Sequence, residues 1–305
     1  MTIRLTVDRE RWWNHVTDVA SGVTGLVPVV KGNGYGLGRD GLAIAAAELS
    51  PLLAVGNVHE LPGLPDSVTP IVLTPTLTAP SDTRPVLTVG HPAHIEALTG
   101  WTGRVIVKLE SDMHRYGGGI ELVERSQRAG LRTVGVAIHP PLAGTDEEHR
   151  DQIVRRLPEI DPSLDVWVSH LAPVTYDTLP TSHQYKLRLG TYLWHGDREA
   201  LVLEADVLDT KPVRSGTGVG YRQTAVPQDG TLVMIGAGTA NGVTPLDDGR
   251  SPFHFRAQRL ALCEYPHMHT SMVFVPTGDP TPRIGDWVDL QRPLTRTTVD
   301  ELRWI

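Results

Sequence analysis

The sequence predicts an α/β chain: a closed (β/α)8 barrel of the TIM-like kind over residues 1–197, followed by a small all-β domain over residues 198–305. Three observations point there. As far as Gly196, short apolar runs rich in Val and Ile alternate with longer stretches of helical spacing, the pattern of buried parallel strands joined by helices. Beyond Gly196 the helical stretches stop, and strand-like runs are separated by Gly, Pro, Asp and Asn, which reads as an all-β unit. The 305 residues suit one barrel of roughly 200–250 residues, or such a barrel with a small domain attached.

The N-terminus alternates like a strand from Thr2 to Asp8 and lacks the apolar core of a signal peptide. Trp12 and Trp13 read as helix packing. Barrel runs follow at residues 27–31, 53–55, 68–74, 86–89, 104–110, 133–138 and 164–170. Helical spacing recurs at 41–50, 92–98, 121–129 and 147–157, and 80–85 is a Pro- and Ser-containing loop. The number of these units favours a closed barrel over an open sheet, and a barrel places its chemistry at the C-terminal ends of its strands. In the second unit the strand-like runs are 202–207, 228–235, 258–263, 272–275 and 287–290.

Hydrophobic residues make up 40% of the chain and charged residues 21%, an ordinary globular composition. The formal net charge is -7, with no Lys/Arg cluster, so a nucleic-acid partner is not expected. The single cysteine, Cys263, cannot make an internal disulfide and fits a reducing compartment. No apolar run approaches the ~20 residues of a membrane span. The expectation is a cytoplasmic protein with neither a membrane nor a nucleic acid as partner.

The segment Val29-Val30-Lys31-Gly32-Asn33-Gly34-Tyr35-Gly36-Leu37-Gly38 is the most informative. A hydrophobic strand runs straight into a lysine, and a buried unpaired ammonium is expensive. A Schiff base to an aldehyde removes the charge and makes the amine a catalyst. The glycines let backbone approach a bulky guest, and the Tyr35 hydroxyl can address an anion. On local physics alone, a lysine snorkelling at a strand edge explains the same residues equally well.

This segment resembles the Lys-Ala-Asn-Ala-Tyr-Gly-His-Gly signature of the alanine racemases, pyridoxal-phosphate enzymes of fold type III. Lys31, Asn33, Tyr35, Gly36 and Gly38 match; Gly32, Gly34 and Leu37 differ. Further elements recur in the family's order. Lys108 to Gly117 resembles Lys-x-Asp-Thr-Gly-Met-x-Arg-x-Gly, and Gly135 to Pro140 resembles the strand whose last histidine packs at the cofactor. Arg188-Leu189-Gly190 resembles the Arg-x-Gly element, and Gly218 to Tyr221 resembles Ser-Val-Gly-Tyr-Gly. Ile235 to Gly242, His267 to Val273 and Ile284 to Val288 resemble three later elements. The resemblance runs from about Leu5 to Leu290. It implies that Lys31 carries pyridoxal phosphate as a Schiff base. It also implies that His139 packs on the cofactor, and that Arg115 supports the phenolic oxygen and the substrate carboxylate. Arg188 would meet the ring nitrogen, and Gly190 and Thr191 the phosphate, with the Tyr35 hydroxyl a further candidate for the phosphate on its own chemistry. An arginine at the ring nitrogen keeps its own proton, which weakens the electron sink and suits proton transfer at Cα. A homodimer with shared sites and a free amino acid as substrate are implied as well, with racemisation the leading reaction.

Departures bear on mechanism. The family's second acid/base, a tyrosine from the partner subunit, maps onto Thr239, whose hydroxyl cannot exchange protons as a phenol does. The phosphate-binding serine expected near residues 172–174 is missing, with Pro173 close to its place, and the closing segment with a tyrosine is absent. His269 stands where the family has an acid near the substrate carboxylate; an imidazole there could act as base or as carboxylate binder. Tyr265, His267 and Cys263 are other candidates for the second base. Decarboxylation, elimination or one-base racemisation by Lys31 alone, and cofactor binding with little catalysis, stay open beside two-base racemisation. Thirteen histidines also raise a zinc hydrolase, with His139 and His170 at strand ends. Against it, the one His-x-His pair, His267 and His269, falls in the β domain, and no metal ligand set is assigned.

Overall fold

The computed structural model describes residues 2–305, which fall into two compact units: Trp13–Gly196, and the stretch up to Trp12 together with Asp197–Ile305. The chain opens with β1 (Ile3–Val7) and α1 (Arg9–Ser21).

The first unit then runs β2 (Leu26–Pro28), α2 (Arg39–Leu49), β3 (Leu52–Val55), β4 (Thr69–Val72), β5 (Val86–Val89) and α3 (Pro92–Ala97). It continues with β6 (Arg104–Lys108), α4 (Glu121–Arg128), β7 (Arg132–Ala137), α5 (Asp146–Arg156) and β8 (Asp165–Ser169). It ends with α6 (Pro173–Tyr176), β9 (Tyr185–Leu189) and α7 (Thr191–His195). Strands β2 to β9 are all parallel and form an eight-stranded sheet. The ring closes because β9 pairs with β2 and a parallel bridge joins Val29 to Ala54. There the Val30 amide donates to the Ala54 carbonyl at 2.7 Å. The expected barrel is therefore present. Its strands are covered on both faces, which is why they read as continuous apolar runs; all four residues of β5 are buried. Helix α5 starts on a capping box, in which Thr145 accepts from the Glu148 amide and Glu148 from the Thr145 amide. The connection from β3 to β4 carries only a short turn at Val58–Glu60.

Strand β9 was not among the runs read from sequence. Lys186 and Arg188 break its apolar pattern. Lys186 is held by Asp165 at 3.7 Å, and Arg188 is taken up by strand-end carbonyls.

In the second unit, β10 (Leu201–Val213) is the long central strand. It is followed by the β11 (Gly218–Val219) and β12 (Thr224–Ala225) hairpin, β13 (Gly230–Ile235), β14 (Phe253–Phe255) and β15 (Gln258–Arg259). Then come β16 (Ala261–Leu262), β17 (Ser271–Pro276), β18 (Trp287–Leu290) and β19 (Glu301–Trp304). Strand β10 pairs antiparallel with β1, β18 and β13, and a bulge between Val207 and Asp209 lets it change neighbours. The all-β character expected after the barrel is thus present. The core gathers Ile3, Val207, Val233, Ile235, Phe253 and Val273. The alternation at the N-terminus is that of a strand, with Ile3, Leu5 and Val7 buried. Its partners are β10 and, in parallel, β19, which the sequence reading did not include. Among the described residues no helix is long and apolar enough to cross a membrane.

Candidate active site

Lys31 stands just past β2, where the barrel strands end. The Gly34 amide returns to the Lys31 carbonyl at 3.1 Å, so the chain turns immediately. A Cβ on Gly34, at φ 63°, would lie 2.5 Å from the Arg39 nitrogen, which leaves glycine as the fitting residue. Tyr35 is buried and sits in the left-handed region at φ 57°. Two side chains of the last barrel segment hold this turn. Trp194 Nε1 donates to the Val29 carbonyl at 2.8 Å, and His195 Nε2 donates to the Tyr35 carbonyl at 2.8 Å. Burial pushes the Tyr35 phenol up to about 12, so it remains a donor. Its hydroxyl lies against the bare Cα of Gly190, where a Cβ would come within 2.1 Å of Oη. Gly190 precedes α7, and Thr191 opens it, exposed. Tyr35, Gly190 and Thr191 therefore meet at one corner of the mouth.

Arg188 ends β9. Its Nε donates to the Val168 carbonyl at 3.2 Å, and Nη2 donates to the carbonyls of Ile138 at 2.9 Å and Trp167 at 3.3 Å. Nη1 is the donor not engaged among the described residues. Burial lowers the guanidinium to about 10, with Tyr116 opposing and Arg115 adding to the effect; it stays charged near neutrality. His139 follows β7, hydrogen-bonds Ser169 Oγ through Nδ1, and faces the His170 ring at 4.4 Å. Burial first, then Arg188, His170, Lys108 and Arg115, push it down to about 2. It is a neutral ring. His170 donates from Nδ1 to the Pro141 carbonyl at 3.1 Å. No group of three or more metal-ligating side chains forms among the described residues.

Lys108, the last residue of β6, is 4% exposed and donates to the Leu109 carbonyl at 2.8 Å. Burial, Arg188, Arg115 and Arg156 bring its amine down to about 7. Arg115 is exposed, its guanidinium 4.5 Å from the centre of the Tyr116 ring, and Tyr116 Oη reaches the Leu73 carbonyl at 3.4 Å. For Lys31 itself, withdrawal from water, then Arg115 and Arg188, lower the amine below the usual lysine range, while Glu60 pulls it up.

The sequence holds four lysines. Lys186 pairs with Asp165 at 3.7 Å, Lys211 pairs with Asp209 at 3.6 Å, and Lys108 is buried against a carbonyl. Lys31 is the one left open at a barrel strand end with a weakened hold on its proton, which is the state an amine needs to attack an aldehyde.

Sequence reasoning missed Glu60 and Tyr116. Glu60 accepts from the Gly32 amide at 3.1 Å and from the Gly56 amide at 2.6 Å. The signal is an acid in the short turn Val58–Glu60, visible only once the turn is known. Tyr116 lay inside a quoted motif and was not separated from it.

Thr239 and His269 lie in the second unit. Both are exposed, and the Thr239 amide donates to the His267 carbonyl at 2.8 Å. His267 Nε2 bonds Glu264 at 2.5 Å and packs on the Tyr221 ring at 4.4 Å. Burial, then Glu264, push the Cys263 thiol up to about 11, a poor base near neutrality. Tyr265 is exposed.

The donor set fits pyridoxal phosphate. It offers an aldehyde-reactive amine, a buried phenol against a glycine whose Cβ would fill the space, and arginines that depress their cationic neighbours and so favour an anionic guest. A sequence-family profile described as alanine racemase, N-terminal domain, matches residues 9–165. No curated protein matches the sequence. Among solved structures, the alanine racemase from Bartonella henselae with covalently bound pyridoxal phosphate aligns at TM-score 0.75 and 19% identity, covering 100% of each chain. That from Acinetobacter baumannii aligns at 0.75 and 17%, also covering 100% of each. That from Streptomyces coelicolor A3(2) aligns at 0.73 and 20%, covering 100% of this chain and 98% of the other.

Proposed function

The chain belongs to the family described as alanine racemase, N-terminal domain, and from that premise we propose that it is a pyridoxal-phosphate-dependent racemase acting at Cα of a free amino acid. The observation that carries the reading is Lys31, an amine at a barrel strand end whose proton is loosened by burial and by Arg115 and Arg188.

In this reading Lys31 would hold the cofactor's aldehyde and Tyr35, Gly190 and Thr191 its phosphate, with Arg188 placed toward its ring nitrogen and His139 against its ring. Pyridoxal phosphate, when bound, supplies an electron sink that acidifies the Cα–H of an amino acid. Lys31 moves the Cα proton on one side, and an amine titrating below the usual lysine range suits that task near neutral pH. Arg115, whose exposed guanidinium lies over the Tyr116 ring, would orient the carboxylate. Arg188 keeps its proton near neutrality, since burial lowers its guanidinium only to about 10, and so would limit the charge a ring nitrogen beside it could accept. His269 is the candidate for the opposite side or for the carboxylate. The same proposal includes a homodimer, as the resemblance implies.

Thr239 at the position of the family's tyrosine favours a second reading, in which Lys31 works alone and the reaction is decarboxylation or elimination. Incubating the cofactor-loaded protein with a panel of amino acids in heavy water, read by mass and by chirality, separates them. Deuterium at Cα with inversion is the expected result. Mass loss selects the second reading. No exchange with any amino acid contradicts both.

A further inference from the structure

We propose that Glu60 is a positioning residue for Lys31: its carboxylate clips the loop after β2 to the end of β3 and so fixes where the Lys31 amine stands in the barrel mouth. The proposal rests on the reading of Lys31 as the reactive amine.

The geometry is a two-armed clip. Oε1 accepts from the amide of Gly32, the residue next to Lys31, at 3.1 Å, and Oε2 accepts from the amide of Gly56, just past β3, at 2.6 Å. Charge-assisted bonds of this kind are about twice as strong as neutral ones. Glu60 is itself held in a turn, its amide donating to the Asn57 carbonyl at 3.1 Å, while the Asn57 side chain accepts from the His59 amide at 2.9 Å. Gly56 is fitted to the clip, because a Cβ there would stand 3.0 Å from Oε2 and 3.1 Å from Oε1. The charged groups acting on Lys31 are Arg115, Arg188 and Glu60; burial and the arginines loosen its proton, and Glu60 retains it. A carboxylate that served only to stabilise a turn would change the melting temperature without moving the chemistry of Lys31.

The test uses the full apo chain. In Glu60→Gln one oxygen becomes an NH2, so one of the two amides meets a donor and the negative charge is gone. The readout is the pH dependence of Lys31 acylation by an amine-selective reagent, resolved by peptide mass from Lys108, Lys186 and Lys211. The Lys31 midpoint is expected to move to lower pH, and the dissociation constant for pyridoxal phosphate to rise by about tenfold or more. Glu60→Asp, which keeps the charge, should restore part of the midpoint. An unchanged midpoint in a Glu60→Gln protein with wild-type circular dichroism overturns the proposal. Should that variant fail to fold, Gly56→Ala decides on the same midpoint, since its methyl crowds the carboxylate without removing charge. Failure of the functional reading shows separately, as borohydride trapping of cofactor on a lysine other than Lys31 in the wild-type protein.

Discussion

A lysine amine buried beside three arginines loses its proton far below the solution range, and Lys108 has fallen to about 7 through burial, Arg188, Arg115 and Arg156. The unfolded chain holds that proton up to about pH 10.4. Between these two values the unfolded state binds more protons than the folded one, so stability rises with pH across the window. Below pH 7 the penalty is constant. Lys108→Met, which keeps the length and drops the charge, should flatten this slope and stabilise the apo protein at pH 6 by on the order of a few kcal/mol. Urea unfolding from pH 6 to pH 10 measures it; parallel wild-type and variant curves would contradict the assignment. Lys31, Tyr35, Arg115, His139 and Arg188 stood out in the sequence as candidates because the motifs that hold them resemble a known family's in order and spacing. Glu60 did not. It lies 28 residues from Gly32, and nothing in the intervening sequence says that its turn folds back over the start of the Lys31 loop.

The start of α7 depends on an absence. Gly190 carries no side chain, and Tyr35 Oη occupies the place where one would be. In Gly190→Ala the methyl displaces the phenol from the corner assigned to phosphate. The barrel should remain folded while the dissociation constant for pyridoxal phosphate rises by at least about tenfold, read by titration of the cofactor's absorbance beside a thermal melt. Unchanged affinity would remove Tyr35 and Gly190 from the phosphate corner. Most barrel strands were readable because burial on both faces makes them uninterrupted apolar runs. Strand β9 was not, since its Lys186 and Arg188 answer to Asp165 and to strand-end carbonyls rather than to a local pattern. Strand β19 escaped for a related reason: only Leu302 and Trp304 in Glu301–Trp304 are apolar, and its partner is β1, almost 300 residues away in sequence.

The chain as a whole carries a formal net charge of -7, yet two arginines, Arg115 and Arg188, act on both Lys31 and His139, with Glu60 the one acid acting on Lys31. A local positive field in an acidic protein favours an anionic guest at that place. The division into a barrel and an all-β unit was legible from the loss of helical spacing after Gly196. That β1 returns to the second unit was not, because its pairing with β10 spans about two hundred residues and leaves no local signal. The account comes down to which amine takes the cofactor. Saturating the protein with pyridoxal phosphate, reducing it with borohydride and mapping the peptides addresses this directly, since the chain has only Lys31, Lys108, Lys186 and Lys211 to choose from. A pyridoxyl adduct on Lys31 is the expected result; an adduct on any of the other three, or none, would contradict the account.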